Sequence, residues 1–72
     1  MKQLLLVTNP VRLTYLESLL TGAGIGFSVH DRHMANLLAG ANSLFPMRLM
    51  VAAEDWQQAK RVLMEAEQFY DE

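Results

Sequence analysis

Residues 46–53, reading Pro-Met-Arg-Leu-Met-Val-Ala-Ala, constrain the fold more than any other stretch of the chain. The run is short, nearly all apolar and compatible with β structure, and it passes directly into Glu54 and Asp55, a favourable helix start. At a period of two, Leu49, Val51 and Ala53 share one face, while Arg48, Met50 and Ala52 share the other. A strand apolar on both faces belongs in the middle of a sheet. One basic residue, Arg48, interrupts it. The chain is therefore expected to be a small mixed domain built around this segment.

Size sets the next limit. A chain of 72 residues is one domain, residues 1–72. At this size folding buries only about 60% of the unfolded surface, so the core alone gives a marginal fold. Small domains supplement it with disulfides, a metal or self-association. The chain has no cysteine, which removes disulfides and thiolate ligands. Its 51% apolar content is too high for a disordered chain. Self-association is the supplement that remains.

Charge narrows the partners. Six Lys and Arg against eight Asp and Glu give a net charge of −2, and the basic residues are scattered. No run of them would neutralise a phosphate backbone, so nucleic acid is not an expected partner. The apolar run after Lys2 is cut by Asn9-Pro10, too early for a signal-peptide core. No segment approaches the roughly 20 apolar residues of a membrane span. A cytoplasmic location is expected, with no membrane contact.

Residues 4–8 read as a first strand, with Leu4 and Leu6 on one side and Leu5 and Val7 on the other. Asn9 is a good N-cap, and Pro10 suits the first helical position, where its missing N–H is not needed. Leu13, Leu16, Leu20 and Ala23 then form a helical stripe over residues 10–23, closed by Gly22 and Gly24. Residues 25–30 alternate as a half-buried strand, with Ile25, Phe27 and Val29 inward. Residues 31–45 form a long connection in which Met34, Leu37, Leu38 and Ala41 follow helical spacing. Long connections commonly carry structure or function of their own. This one is expected to fold back and lay Met34, Leu37 and Leu38 over the sheet face opposite the long helices. After the central strand, Asp55 and Gln58 have capping-box spacing, and Trp56, Ala59, Leu63, Ala66 and Tyr70 form a second helical stripe. The tail, residues 71–72, is expected to fray.

The order is β-α-β-(short helix)-β-α. A crossover joining the first two strands, with the third lying antiparallel between them, gives an α+β fold with a three-stranded antiparallel sheet of order 2-3-1. Both long helices then lie on one face. This is a ferredoxin-like arrangement without its last strand, which leaves residues 4–8 at an edge. Only Lys2 and Pro10, at its ends, are expected to blunt that edge. A homodimer whose interface includes this strand is the expected consequence, and the alternative is a monomer whose tail or long loop covers the edge.

The polar cluster His30-Asp31-Arg32-His33 closes the second strand. Its chemical readings are a metal pair or an acid/base site. A zinc site needs three or four ligands, and no Cys is available. On an extended strand end, His30 and Asp31 point to opposite faces, which argues against a shared ligand sphere. The plainer reading is a solvated strand end, with Asp31 capping the short helix after it. Arg48 reads either as an anion or carboxylate clamp or, as is favoured, as a pair for Asp31 or a solvent-facing charge. The candidate ligand- or partner-binding residues are thus His30, Asp31, His33, Met34 and Arg48. No catalytic residue, metal ligand or cofactor is assigned. Gly22-x-Gly24-x-Gly26 follows a helix and precedes a strand, the reverse of a dinucleotide-binding turn.

Several segments together resemble one family. They are Asn9-Pro10, Leu19-Leu20-x-x-Ala23-Gly24-Ile25, Asp31-x-His33-Met34, Pro46-x-Arg48-x-Met50-Val51 and Ala59-x-Arg61-x-Leu63. They are similar to the domain-of-unknown-function family described as putative prokaryotic signal transducing proteins. The resemblance implies a ferredoxin-like fold akin to the nitrogen-regulatory signal proteins, in a small bacterial cytoplasmic protein. It transfers no substrate and no catalytic residue. The expected function is therefore a non-enzymatic regulatory module that binds a small ligand or a protein partner as a homo-oligomer. The alternative is a small metal-dependent protein or enzyme using His30 to His33.

Overall fold

The computed structural model describes residues 1–31 and 46–71. Its elements are β1 (Lys2–Val7), α1 (Pro10–Gly22), β2 (Phe27–His30), β3 (Met47–Val51) and α2 (Trp56–Glu65). A 3-10 turn, Ala53–Asp55, leads into α2. The fold is α+β, with a three-stranded sheet in the order β1-β3-β2. Both flanking strands run antiparallel to β3. The expected short helix within residues 31–45, with His33, Met34, Leu37 and Leu38, lies outside the described residues, as does Glu72.

β3 behaves as its alternation dictates. Met47, Leu49 and Val51 are buried, whereas Arg48 is exposed and Met50 half-buried. The buried set packs with Leu13, Leu16 and Leu20 of α1 and with Ala59 and Leu63 of α2 in one cluster. Removing such side chains from water contributes roughly 1.5–3 kcal/mol each. Both helices thus cover the same face of the sheet, and among the described residues the face carrying Arg48 and Met50 is left uncovered.

β1 departs from simple alternation. Its register against β3 shifts between Gln3 and Leu5, which leaves Leu4 without an opposite residue. This is a β-bulge, in which two residues of one strand face one of its neighbour. Leu4 and Leu5 are consequently both buried in the helix-side core, together with Val7. Only Leu6 of the leucine run turns to the uncovered face, where it lies opposite Arg48. The expected split of Leu4 with Leu6 against Leu5 with Val7 is corrected, because strict period-two counting cannot anticipate an inserted residue.

The helix ends follow backbone chemistry. Asn9 caps α1, its side-chain oxygen accepting from the Val11 amide at 2.9 Å and, more weakly, from that of Arg12 at 3.4 Å. At the other end Gly24 takes φ +74°, the Ile25 amide reaches Leu20 O and the Gly24 amide reaches Thr21 O. These are the two bonds of a Schellman motif. Ile25 therefore belongs to the helix cap, not to β2, and its burial comes from packing back on the helix it closes.

α2 ends in the same motif without a glycine. The Gln68 amide bonds Leu63 O at 2.7 Å and the Glu67 amide bonds Met64 O at 3.0 Å, with Glu67 at φ +59°. The helix stops at Glu65, so the stripe does not continue helically to Tyr70. The expected capping box is also absent: Asp55 makes no side-chain cap bond, because the 3-10 turn has already put its backbone in the helical region.

Candidate functional site

Two polar assemblies stand on this frame. The first is the end of β2 and the start of β3 on the uncovered sheet face. The ladder sets His30 opposite Arg48, with Leu6 on Arg48's other side. One step along the sheet, Ser28 and Gln3 flank Met50 in the same way. Asp31 takes φ +70°, the left-handed region that Asp enters more readily than most residues. This breaks the extended geometry and brings its carboxylate to Arg48, Nε to Oδ2 at 2.9 Å. The expectation that His30 and Asp31 diverge to opposite faces is corrected on this point, since alternation ends where the strand does. Of the two favoured readings of Arg48, a pair with Asp31 or a solvent-facing charge, the structure shows the pair, on a side chain that is still 44% exposed.

This corner is open to solvent, with side-chain exposures of 44% for Arg48 and 37% for Asp31. Exposed pairs of this kind contribute about 0–1 kcal/mol, so the pair is easily exchanged for another partner. His30 Nε2 lies 3.2 Å from Ser28 Oγ, and Ser28 donates to Met1 Sδ at 3.3 Å. Among the described residues no three His, Cys, Asp or Glu side chains converge as metal ligands. Of the sequence candidates, the fold brings His30, Asp31 and Arg48 together, while His33 and Met34 lie outside the described residues.

The second assembly is the tail covering the β1 edge, the expected alternative to edge pairing, with an anchor that was not anticipated in the sequence. After the α2 cap, the tail crosses back to the edge of β1, and Arg12 holds it there. Arg12 Nε donates to Gln68 Oε1 at 3.0 Å, and Nη2 donates to the carbonyls of Gln68 at 2.7 Å and Tyr70 at 2.9 Å. The guanidinium carbon also lies 3.8 Å from the centroid of the Tyr70 ring, a cation–π contact. Asp71 then accepts from the Leu6 amide, N to Oδ1 at 2.7 Å. The tail is thus tied down through Asp71, contrary to the expected fraying.

Trp56 finishes that edge. Its indole N–H donates to Gln3 O at 3.0 Å, Lys2 Nζ lies 4.1 Å from its ring centroid, and Phe69 meets it edge-on at 6.1 Å. The β1 edge therefore carries side-chain partners beyond Lys2 and Pro10, which corrects the picture of a strand blunted only at its ends. The available signal was the composition of the tail. Phe69, lying beyond Glu67, is costly to leave in water and has to find a surface, and it packs against the core.

Fold and corner together define a small α+β module with one sheet face clad in helices and a polar cluster on the other. The chain belongs to the family described as putative prokaryotic signal transducing protein, whose family model matches residues 1–67. No curated protein and no solved structure matches it. The family match stops just before the tail that closes β1. None of the described helices is long and apolar enough to cross a membrane.

Proposed function

We infer that this protein is a non-enzymatic regulatory module of the cytoplasm that receives a small ligand or a protein partner on its uncovered sheet face and works as a homodimer. The observation that carries the reading is the exposed Arg48–Asp31 pair beside His30 on that face. A weakly held guanidinium next to an imidazole suits an anionic ligand or a partner's carboxylate, which would take over from Asp31. The family description supports a signalling role. The sheet order and the two helices on one face support the ferredoxin-like reading and its kinship with the nitrogen-regulatory signal proteins. Nucleic acid is not a fitting partner for a chain of net charge −2 with scattered basic residues. The dimer reading rests on the small core and on the half-buried Leu6 at the edge strand.

A thermal-shift screen with nucleotides and with di- and tricarboxylates tests it. At least one of these anions should raise the melting temperature of the wild type and leave Arg48→Ala unmoved. A full set of null shifts, together with metal that copurifies stoichiometrically and is lost in His30→Ala, would replace it with the metal-dependent alternative.

A further inference from the structure

The outer side of β1 is closed by groups that imitate a neighbouring strand. In an antiparallel ladder the N–H and C=O of one residue point to the same side. The Leu6 amide points away from β3, to Asp71, so the Leu6 carbonyl points away from β3 as well. Asp71 Oδ1, at 2.7 Å, stands where the carbonyl of a fourth strand would stand. The Trp56 indole N–H, at 3.0 Å from Gln3 O, stands where that strand's amide would stand. Asp71 and a docked strand cannot both occupy the Leu6 amide.

We propose that the β1 edge is a strand-pairing site for a second copy of this chain, and that the C-terminal tail, held by Arg12, closes it. This rests on the self-association reading above and adds what controls it. The edge is self-complementary. With Leu6 of one copy opposite Leu6 of the other, each residue's outward amide meets the other's outward carbonyl about a two-fold axis. In that register Leu5 faces the partner copy's Val7, and Lys2 falls beyond Thr8, so no like charges are set opposite one another. The two sheets become one continuous sheet, and the Leu6 side chains, half-buried in the single copy, cover each other on the uncovered face.

The tail competes with such a strand for the Leu6 amide. It offers one carboxylate to the Leu6 amide, and its last residues are held by Arg12 through Gln68 and Tyr70, beyond the point where Phe69 packs on the core. Whatever loosens Arg12 from those carbonyls frees the edge. Asp71 and Tyr70 are themselves exposed, so these two residues leave the edge while Phe69 stays packed against the core.

Sedimentation equilibrium of the full chain decides between the outcomes, with circular dichroism confirming the fold of each variant. Asp71→Ala and Arg12→Gln should each tighten dimerisation about tenfold or more relative to wild type. Adding Leu6→Pro, which deletes the outward amide while keeping an extended edge residue, should abolish the gain. A wild type that dimerises with an affinity unchanged or weakened by Asp71→Ala overturns the closing role of the tail and leaves the homodimer reading standing. Wild type and variants that all remain monomeric, with no change in Leu6 amide exchange, overturn both. Faster exchange of the Leu6 amide in monomeric Asp71→Ala would keep the closing role of the tail, and the second-copy assignment alone falls.

Discussion

β3 and β1 lie side by side and obey different rules. β3 has a strand on each side, so its backbone groups are satisfied by the ladder, and its side chains alternate strictly between core and uncovered face. β1 has one strand neighbour. Its outer groups are met by side chains from far along the chain, Trp56 and Asp71, and its alternation is broken by the bulge at Leu4. A central strand's environment is periodic and therefore legible in its own residues. An edge strand's environment is assembled by whatever reaches it, and here that is a helix start and a tail.

The sharpest way to break this comparison is to exchange adjacent leucines for lysine. Leu5 is 2% exposed and sits in the core, whereas Leu6 faces the uncovered side. Leu5→Lys should therefore abolish cooperative folding, since losing a buried Leu alone costs about 2–5 kcal/mol before an unpaired ammonium is buried with it. Leu6→Lys should retain a cooperative transition, with a loss of about 1–2 kcal/mol at most for a half-buried site. Urea unfolding of the two variants measures the difference. It also makes Leu6, not Leu5, the residue with which to probe self-association.

A smaller effect is expected at the anchor of the tail. Arg12→Ala removes three hydrogen bonds and the Tyr70 contact, and it should lower unfolding stability by about 1.5–3 kcal/mol. Arg12→Lys should recover only part of this, because one ammonium cannot reproduce the planar fork. An Arg12→Ala midpoint equal to wild type would mean that the tail contributes nothing to the fold.

The smallest effect has the opposite sign. Glu67 holds the left-handed position of the α2 cap that Gly24 holds in α1. A non-glycine residue there costs about 1–2 kcal/mol, partly offset by the entropy a glycine loses on folding. Glu67→Gly should therefore stabilise by about 0.5–1 kcal/mol, read as a rise in the urea midpoint. Gly24→Ala should destabilise by a similar amount.

Much of the fold was legible because its signals were local. Asn9-Pro10 announced the start of α1, the alternation from Met47 to Val51 announced the centre of the sheet, and Gly24 announced a left-handed stop. The errors fell where a local pattern has two physical outcomes. Four apolar residues in a row from Leu4 to Val7 fit both strict alternation and a bulge, and the core's need for both Leu4 and Leu5 selected the bulge. Ile25 fits both a strand start and the apolar residue that closes a Schellman cap. Asp55 has the right spacing for a capping box, but Ala53–Asp55 had already turned helical.

The candidate site was readable to the same degree. The pairing of Arg48 with Asp31 was one of two open readings in the sequence, and its geometry depended on a left-handed Asp31 that no spacing signals. The anchoring of the tail by Arg12 was out of reach. Arg12 sits on the polar side of a helical wheel, as any solvated arginine would, and its partners are more than fifty residues away.

Amide hydrogen exchange at Leu6 tests the central claim, that side chains from the end of the chain close the β1 edge. An amide on an open edge exchanges freely, while one bonded at 2.7 Å to a tethered carboxylate is protected. In wild type, Leu6 should be protected, and Asp71→Ala and Arg12→Ala should each remove that protection while the amides of β3 keep theirs. A Leu6 amide that exchanges at the same rate in all three proteins, as fast as an unstructured one, would contradict the account.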